Sequence, residues 1–223
     1  RPYTYNCSPT GLGVPDYSPL VGELDKGINN TLSAVAVSHD LRKFEIISKV
    51  NGATVDERDN VLFPEKIGGK FWLLRRPKQF NDKPSIHYST GDDCKTWSEP
   101  KLLAEPMYDW EGGKIGAGAP PVATEKGWIL LYHGVDEKDV YRVGAMLLDR
   151  DDPTRVLART SEPILEPTEY YEKFGLVIPN VVFPTACVEK DGLLYIYYGC
   201  CDTSIALATV RVDELLKSME KLQ

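Results

Sequence analysis

Apolar and polar positions alternate with a period of two, or run together briefly, in short stretches along the chain. Residues 32–37 read L-S-A-V-A-V, 70–75 K-F-W-L-L-R, 128–132 W-I-L-L-Y and 193–198 L-L-Y-I-Y-Y. Side chains on a strand point alternately to its two faces, so this pattern predicts strands and not helices. Gly68-Gly69, Glu125-Lys126-Gly127 and Lys190-Asp191-Gly192 each stand just before an aromatic-rich strand. Such turns make the chain read as consecutive antiparallel hairpins.

One unit recurs three times: a proline, a strand, a glycine turn and a second strand ending in a polar residue, at 63–76, 119–133 and 183–199. A further strand follows each, at 85–89, 142–147 and 205–209, and an unpartnered version lies upstream at 32–38. Asp-rich turns follow, among them His39-Asp40, Gly91-Asp92-Asp93 and Asp149-Arg150-Asp151-Asp152. The proline-to-proline spacing is 56 or 57 and then 63 or 64 residues, longer than the ~40 to 50 of common four-stranded propeller blades but reachable with extended loops. The expected fold is all-β: a single β-propeller domain over residues 1–223. Its first blade is expected to be incomplete, with one strand at 3–7 and a Pro/Gly-rich loop filling 1–31. Leu215, Leu216, Met219 and Leu222 at helical spacing predict a short amphipathic helix at 213–222 that covers one end of the propeller.

Composition narrows the function classes. The 223 residues are 42% apolar and 26% charged with a formal net charge of −7, which describes a globular chain and not a disordered tail. No stretch approaches the ~18 consecutive apolar residues of a membrane-spanning helix, and the start Arg1-Pro2-Tyr3 has no signal-peptide pattern. An excess of 33 acidic over 26 basic residues argues against a sequence-independent grip on nucleic acid, which needs clustered Lys and Arg. Cys7, Cys94, Cys187, Cys200 and Cys201 are odd in number and lack C-x-x-C spacing, so neither a zinc site nor a disulfide framework is expected, and the compartment implied is the cytoplasm. With three histidines and no clustered carboxylates, no metal and no cofactor are predicted. The first residue is not Met, which reads as a chain that is processed, cut from something longer, or part of a longer protein.

Propeller ligands sit at the central channel, where the inner strands end. Four ionisable residues recur at such places: Arg58 before the strand at Val61, Arg76 after 71–75, Lys114 within G-G-K-I-G, and His133 after 128–132. Brought together in an acidic chain they would hold a compact dianion such as phosphate; taken singly, each is equally a solvated charge or a packed core residue. Asp202, after 195–199, is either an equivalent acidic site residue or a turn former. Cys200-Cys201 reads as packing. S-T-G-D-D-C-K-T-W at 89–97 resembles the Asp-box turn of propeller glycosidases, a mark of fold and not of a site.

Five ordered motifs carry a more specific likeness: V-L-F-P-E-K-I-G-G-K-F-W-L-L-R-R-P (61–77), G-G-K-I-G-A-G-A-P-P (112–121), L-L-Y-H-G-V (130–135), Y-R-V-G-A-M-L-L-D (141–149), and N-V-V-F-P-T-A-C-V (180–188) followed by Y-I-Y-Y-G-C-C-D-T-S-I-A-L-A-T (195–209). From about residue 31 to 216 the chain resembles glycoside hydrolase family 130, which contains the β-mannoside phosphorylases. The resemblance implies a five-bladed propeller and phosphorolysis of β-linked mannosides with inversion, giving α-mannose 1-phosphate, with inorganic phosphate as co-substrate. Carried over motif by motif, Arg58, Arg76, Lys114 and His133 fall on phosphate-holding positions, Asp202 on a sugar-binding aspartate, and Tyr141 and Phe183 on the acceptor side. Hydrolytic members lack this cationic set. The family's general acid, an Asp in a Glu-Asp-Pro-Arg-like motif, has no counterpart here; Asp16 and Asp25 lie in the wrong context. The acid is therefore expected upstream of residue 1, and the isolated chain is expected to bind phosphate weakly and not turn over. An inverting β-mannosidase and a non-catalytic carbohydrate-binding propeller are the alternative functions. Linkage, acceptor sugar and oligomeric state, a homo-oligomer included, stay open; the loops at 79–83 and 166–176 bear on the first two.

Overall fold

A computed structural model describes residues 33–51, 56–78, 80–175 and 178–222. The expected strand at 3–7 and the partial blade at 1–31 lie outside the described residues, as do positions 79 and 176 of the two loops. The described residues are all-β with few helical turns, in four antiparallel sheets that follow chain order. The first pairs β1 (Ala34–Val37) with β2 (Glu45–Lys49). The second is β3 (Glu57–Leu62), β4 (Phe71–Pro77), β5 (Ile86–Gly91) and β6 (Lys101–Ala104), in that order. The third centres on β9 (Gly127–Val135), flanked by β7 (Lys114–Ala117) and β8 (Val122–Thr124) on one side and by β10 (Tyr141–Leu148) and β11 (Val156–Arg159) on the other. The fourth is β12 (Val182–Lys190), β13 (Leu193–Cys200) and β14 (Ser204–Arg211).

The strand just upstream of the repeats thus has a partner, β2, whose E-I-I-S-K sequence lacks a distinct alternation. Turn chemistry matches the backbone: Gly68 and Gly69 at φ 59 and 78 close β3 to β4, and Asp191 and Gly192 at φ 55 and 77 close β12 to β13, the left-handed pairs that tight hairpins need.

Strand β9 is buried along its whole length. Trp128, Leu130 and Tyr132 pack toward the second sheet with Val61, Phe63, Leu74 and Ile86. Ile129 and Leu131, pointing the other way, pack with Leu194 and Ile196 of the fourth sheet and with Leu215 and Met219. A strand covered on both faces reads as a continuous apolar run, which is why 128–132 shows no alternation. The third sheet is therefore sandwiched face to face between the second and the fourth.

The C-terminal helix is shorter than expected. It spans Val212–Ser218, and the chain then extends at Met219 and pairs Glu220–Lys221 with Ala158 and Arg159 as β15. Leu215 and Met219 are buried in the same cluster, and Leu222 N donates to Leu157 O at 3.1 Å. The open edge of β11 thus captures the last residues, and the apolar spacing that suggested one helix to 222 is shared between a helix and a strand.

Candidate anion site

Strand β7 packs against β3, β4 and β5 of the second sheet, and β12 packs against β8, β9 and β10 of the third. Two glycines of the G-G-K-I-G-A-G stretch permit this. A Cβ on Gly116 would stand 2.3 Å from Asp59 Oδ2 and 2.5 Å from His133 Cε1, and one on Gly118 would stand 2.4 Å from Pro184 Cγ, distances no side chain tolerates. The stretch is glycine-rich because neighbouring strands occupy the space of the missing side chains.

Just upstream, the 3-10 turn Asp109–Glu111 is tied down by the buried carboxylate of Glu111. That group accepts from Met107 N (2.8 Å), Tyr108 N (3.2 Å), Tyr132 Oη (2.5 Å) and Arg159 Nη2 (2.8 Å). Arg159 also donates to Tyr132 Oη and to Glu105 O. Glu111, Tyr132 and Arg159 are thus partners of one another in a buried network that anchors the turn to β9 and β11.

The consecutive arginines of β4 have opposite situations. Arg75 meets Glu57 through Nε–Oε1 and Nη2–Oε2, both at 2.5 Å, and donates to Ser89 Oγ at 2.9 Å and Val50 O at 3.4 Å. It is a satisfied structural pair. Arg76, equally buried, has one hydrogen bond among the described residues, from Nη1 to His133 Nε2 at 3.2 Å. Its Nε stands 2.9 Å from Asp59 Oδ2, yet the N–H is not aligned with that oxygen, and both atoms are left without a hydrogen bond. His133 Nδ1 is a third buried atom without a hydrogen-bond partner among the described residues. Arginine only donates, so His133 Nε2 is the acceptor and the ring proton sits on Nδ1. Burial, with smaller contributions from Arg76 and Lys114 against the opposing pull of Asp59, draws the His133 pKa down to about 3, and the imidazole is neutral at pH 7. Buried polar atoms without partners are uncommon in native proteins. Here three of them belong to residues in mutual contact.

Around this core, Lys114 Nζ donates to Tyr141 Oη at 2.8 Å. The Tyr141 ring stacks on His133 at 6.0 Å between centroids, and Phe183 lies against the imidazole at 4.5 Å. The structure thus brings together Arg76, Lys114, His133, Tyr141 and Phe183. Arg58 sits on the ladder rung opposite Arg76, but its half-exposed guanidinium pairs with Asp56, 3.5 Å away. Asp202 is exposed at φ 54 in the turn joining β13 to β14, at the same end of that sheet as Phe183. Among the described residues no group of three or more His, Cys, Asp or Glu converges as a metal ion would need, and no helix is long and apolar enough to cross a membrane. Arg76 and Lys114 supply positive charge, Arg76 Nε faces the Asp59 carboxylate as an ion pair, and His133 Nδ1–H is a buried donor without an acceptor among the described residues. Such an arrangement suits a small oxyanion.

The family model described as beta-1,4-mannooligosaccharide phosphorylase matches residues 23–221. The chain belongs to glycoside hydrolase family 130. Within the family, it is similar to the 1,2-β-oligomannan phosphorylase of Thermoanaerobacter sp. (strain X514), 44% identical over 74% of this chain and 54% of that protein. It is similar also to the β-1,4-mannooligosaccharide phosphorylase of Ruminococcus albus, 41% identical over 71% of this chain and 49% of that protein. Among solved structures, the β-1,2-mannobiose phosphorylase of Listeria innocua in complex with β-1,2-mannobiose superposes with a TM-score of 0.79, at 34% identity over 85% of this chain and 53% of that one. The chain spans about half the length of the curated relatives it matches. One residue of this cluster has no signal in the sequence: Asp59, whose side chain is turned toward Arg76 and His133 by an irregularity in β3 that no alternation reveals.

Proposed function

We propose that the chain is part of a β-mannoside phosphorylase that cleaves β-linked mannosides with inorganic phosphate, with inversion, to give α-mannose 1-phosphate. The observation that carries this is the cluster of Arg76, Lys114 and His133, with the buried His133 Nδ1–H lacking an acceptor among the described residues, in a chain of net charge −7. Phosphate is already nucleophilic. It needs positioning and charge compensation and no general base, which these residues are equipped to supply. In the step, a phosphate oxygen bonds to the anomeric carbon as the glycosidic C–O bond breaks, and the departing oxygen takes a proton from an acid. A hydrolase working by inversion would instead need a second carboxylate as base, roughly 6.5 to 9.5 Å from the first. In this account Arg58 joins the phosphate set by leaving Asp56, Tyr141 and Phe183 face the sugar on the acceptor side, Asp202 binds the mannosyl unit, and the acid is supplied from outside these residues.

The accompanying fold is a five-bladed propeller in which much of the first blade lies outside the described residues. Two faces support it. The sheet β12–β14 turns Val188, Tyr197, Ile205 and Leu207 outward, Ile205 80% exposed, while Ile196, Tyr198 and Ala206 on its other face are in the core. The sheet β1–β2 likewise leaves Ala36 and Ile46, paired on one face, exposed. A further blade between them would bury both. The test is release of α-mannose 1-phosphate from β-1,4- and β-1,2-mannobiose, with and without phosphate, by this chain and by a version extended upstream. Phosphate-dependent product from the extended form supports the proposal. Phosphate-independent mannose release makes the protein a β-mannosidase, and sugar binding without any product makes it a binding propeller.

A further inference from the structure

Between the rungs Arg58–Arg76 and Val61–Leu74, strand β3 carries one residue more than β4. This is a β-bulge, and its residue Asp59 has φ 55, the left-handed region that Asp and Asn enter more readily than other side chains. A bulge takes a side chain out of the strand's alternation. Here it directs a carboxylate, 12% exposed, into a cluster of positive charge, with Oδ2 2.9 Å from Arg76 Nε and 3.5 Å from His133 Nε2. A carboxylate next to a bound oxyanion repels it, so its presence calls for a compensating role.

We propose that Asp59 is a positioning residue of the anion site: its carboxylate holds the Nε edge of Arg76, so that the terminal guanidinium nitrogens are directed at His133 and at the bound anion. Asp59 does not touch the anion itself. Gly116 belongs to the same device, since a Cβ there would displace both Asp59 and His133. The inference deepens the phosphate assignment and rests on it for its ligand.

The sign of one effect separates this role from mere proximity. Removing a carboxylate that only neighbours an anion relieves repulsion and tightens binding, whereas removing a positioning group loosens it. Asp59→Asn keeps the shape and removes the charge, and Asp59→Gly removes the side chain; both residues adopt positive φ, so the bulge is retained. The experiment uses this chain with inorganic phosphate as the probe. It measures the dissociation constant by titration calorimetry and the solvent exchange of the Arg76 Nε–H by nitrogen-resolved NMR, that signal being assigned by its loss in Arg76→Lys. The expected result is exchange at least about tenfold faster in both variants, with phosphate bound about five- to tenfold more weakly and circular dichroism unchanged. Equal exchange in the variants, or phosphate bound as tightly or more tightly, would overturn the role of Asp59. Absence of saturable phosphate binding in the unsubstituted chain would overturn the phosphate assignment instead, and the exchange comparison, which needs no ligand, would still decide Asp59.

Discussion

Arg75 and Arg76 are adjacent, both about 5% exposed, and should respond to the same substitution in opposite ways. Arg75→Met leaves the fully buried Glu57 carboxylate without its bidentate partner and removes the bonds to Ser89 and Val50. Removing one partner of a buried pair typically costs about 3–5 kcal/mol. For a chain of this size that corresponds to a Tm lower by about 6–20 °C. Arg76→Met removes one hydrogen bond, at 3.2 Å to His133, and a single unaligned ion pair with Asp59, whose carboxylate keeps some access to water, so its cost should be the smaller, about 1–3 kcal/mol. Thermal and urea unfolding of the two variants measure the difference, and phosphate titration measures the other half of the prediction. Arg76→Met should stay folded and lose phosphate binding, while Arg75→Met should be the less stable by several degrees. If the two were equally destabilised, or Arg76→Met were the worse, the division between a structural and a functional arginine would be refuted.

Gly116→Ala places a methyl group 2.3 Å from Asp59 Oδ2 and 2.5 Å from His133 Cε1; overpacking of this kind costs about 1–3 kcal/mol, and the expected signature is weakened phosphate binding with a moderate fall in Tm, against an unchanged titration if the site lies elsewhere. Stability should depend on pH through His133. Its pKa falls on folding from 6.5 to about 3, so the unfolded chain binds the extra proton, and stability present above pH ~6.5 is lost as pH falls, by about 1.4 kcal/mol per unit for that proton. Burial shifts His87 in the same direction. Urea midpoints at pH 7, 6 and 5 should show the decline, and His133→Gln should reduce its slope; an unaltered slope in the variant would contradict the assignment. Burial pushes the thiols of Cys187 and Cys200 up to about 11, so alkylation at pH 8 should be at least about tenfold slower in the folded chain than in urea, and equal rates would show these thiols to be accessible.

The strands that the sequence revealed best are those with a strong local signal. The run at 128–132 had to be buried on both faces, and Gly68-Gly69 and Asp191-Gly192 had to turn. Where local signals were weak or mixed, tertiary contacts decided. Strand β15 exists because β11 offers it an open edge, and Leu222, which continued the helical spacing, went with it. At the candidate site, Arg76, Lys114, His133, Tyr141 and Phe183 were legible from motif positions, and the structure places them in contact. Asp59 was not, because a bulge appears only when two strands are set in register. The structural role of Arg75 was hidden as well, since Glu57, 18 residues upstream, pairs with it only in the folded sheet.

The central claim is that Arg76, Lys114 and His133 hold phosphate. A crystal structure of the chain soaked in concentrated inorganic phosphate tests it most directly. The account predicts a phosphate within hydrogen-bond distance of Arg76, Lys114 and His133 Nδ1, with Arg58 swung away from Asp56 toward it. A site left empty under those conditions, with phosphate bound only at surface cations, would contradict it.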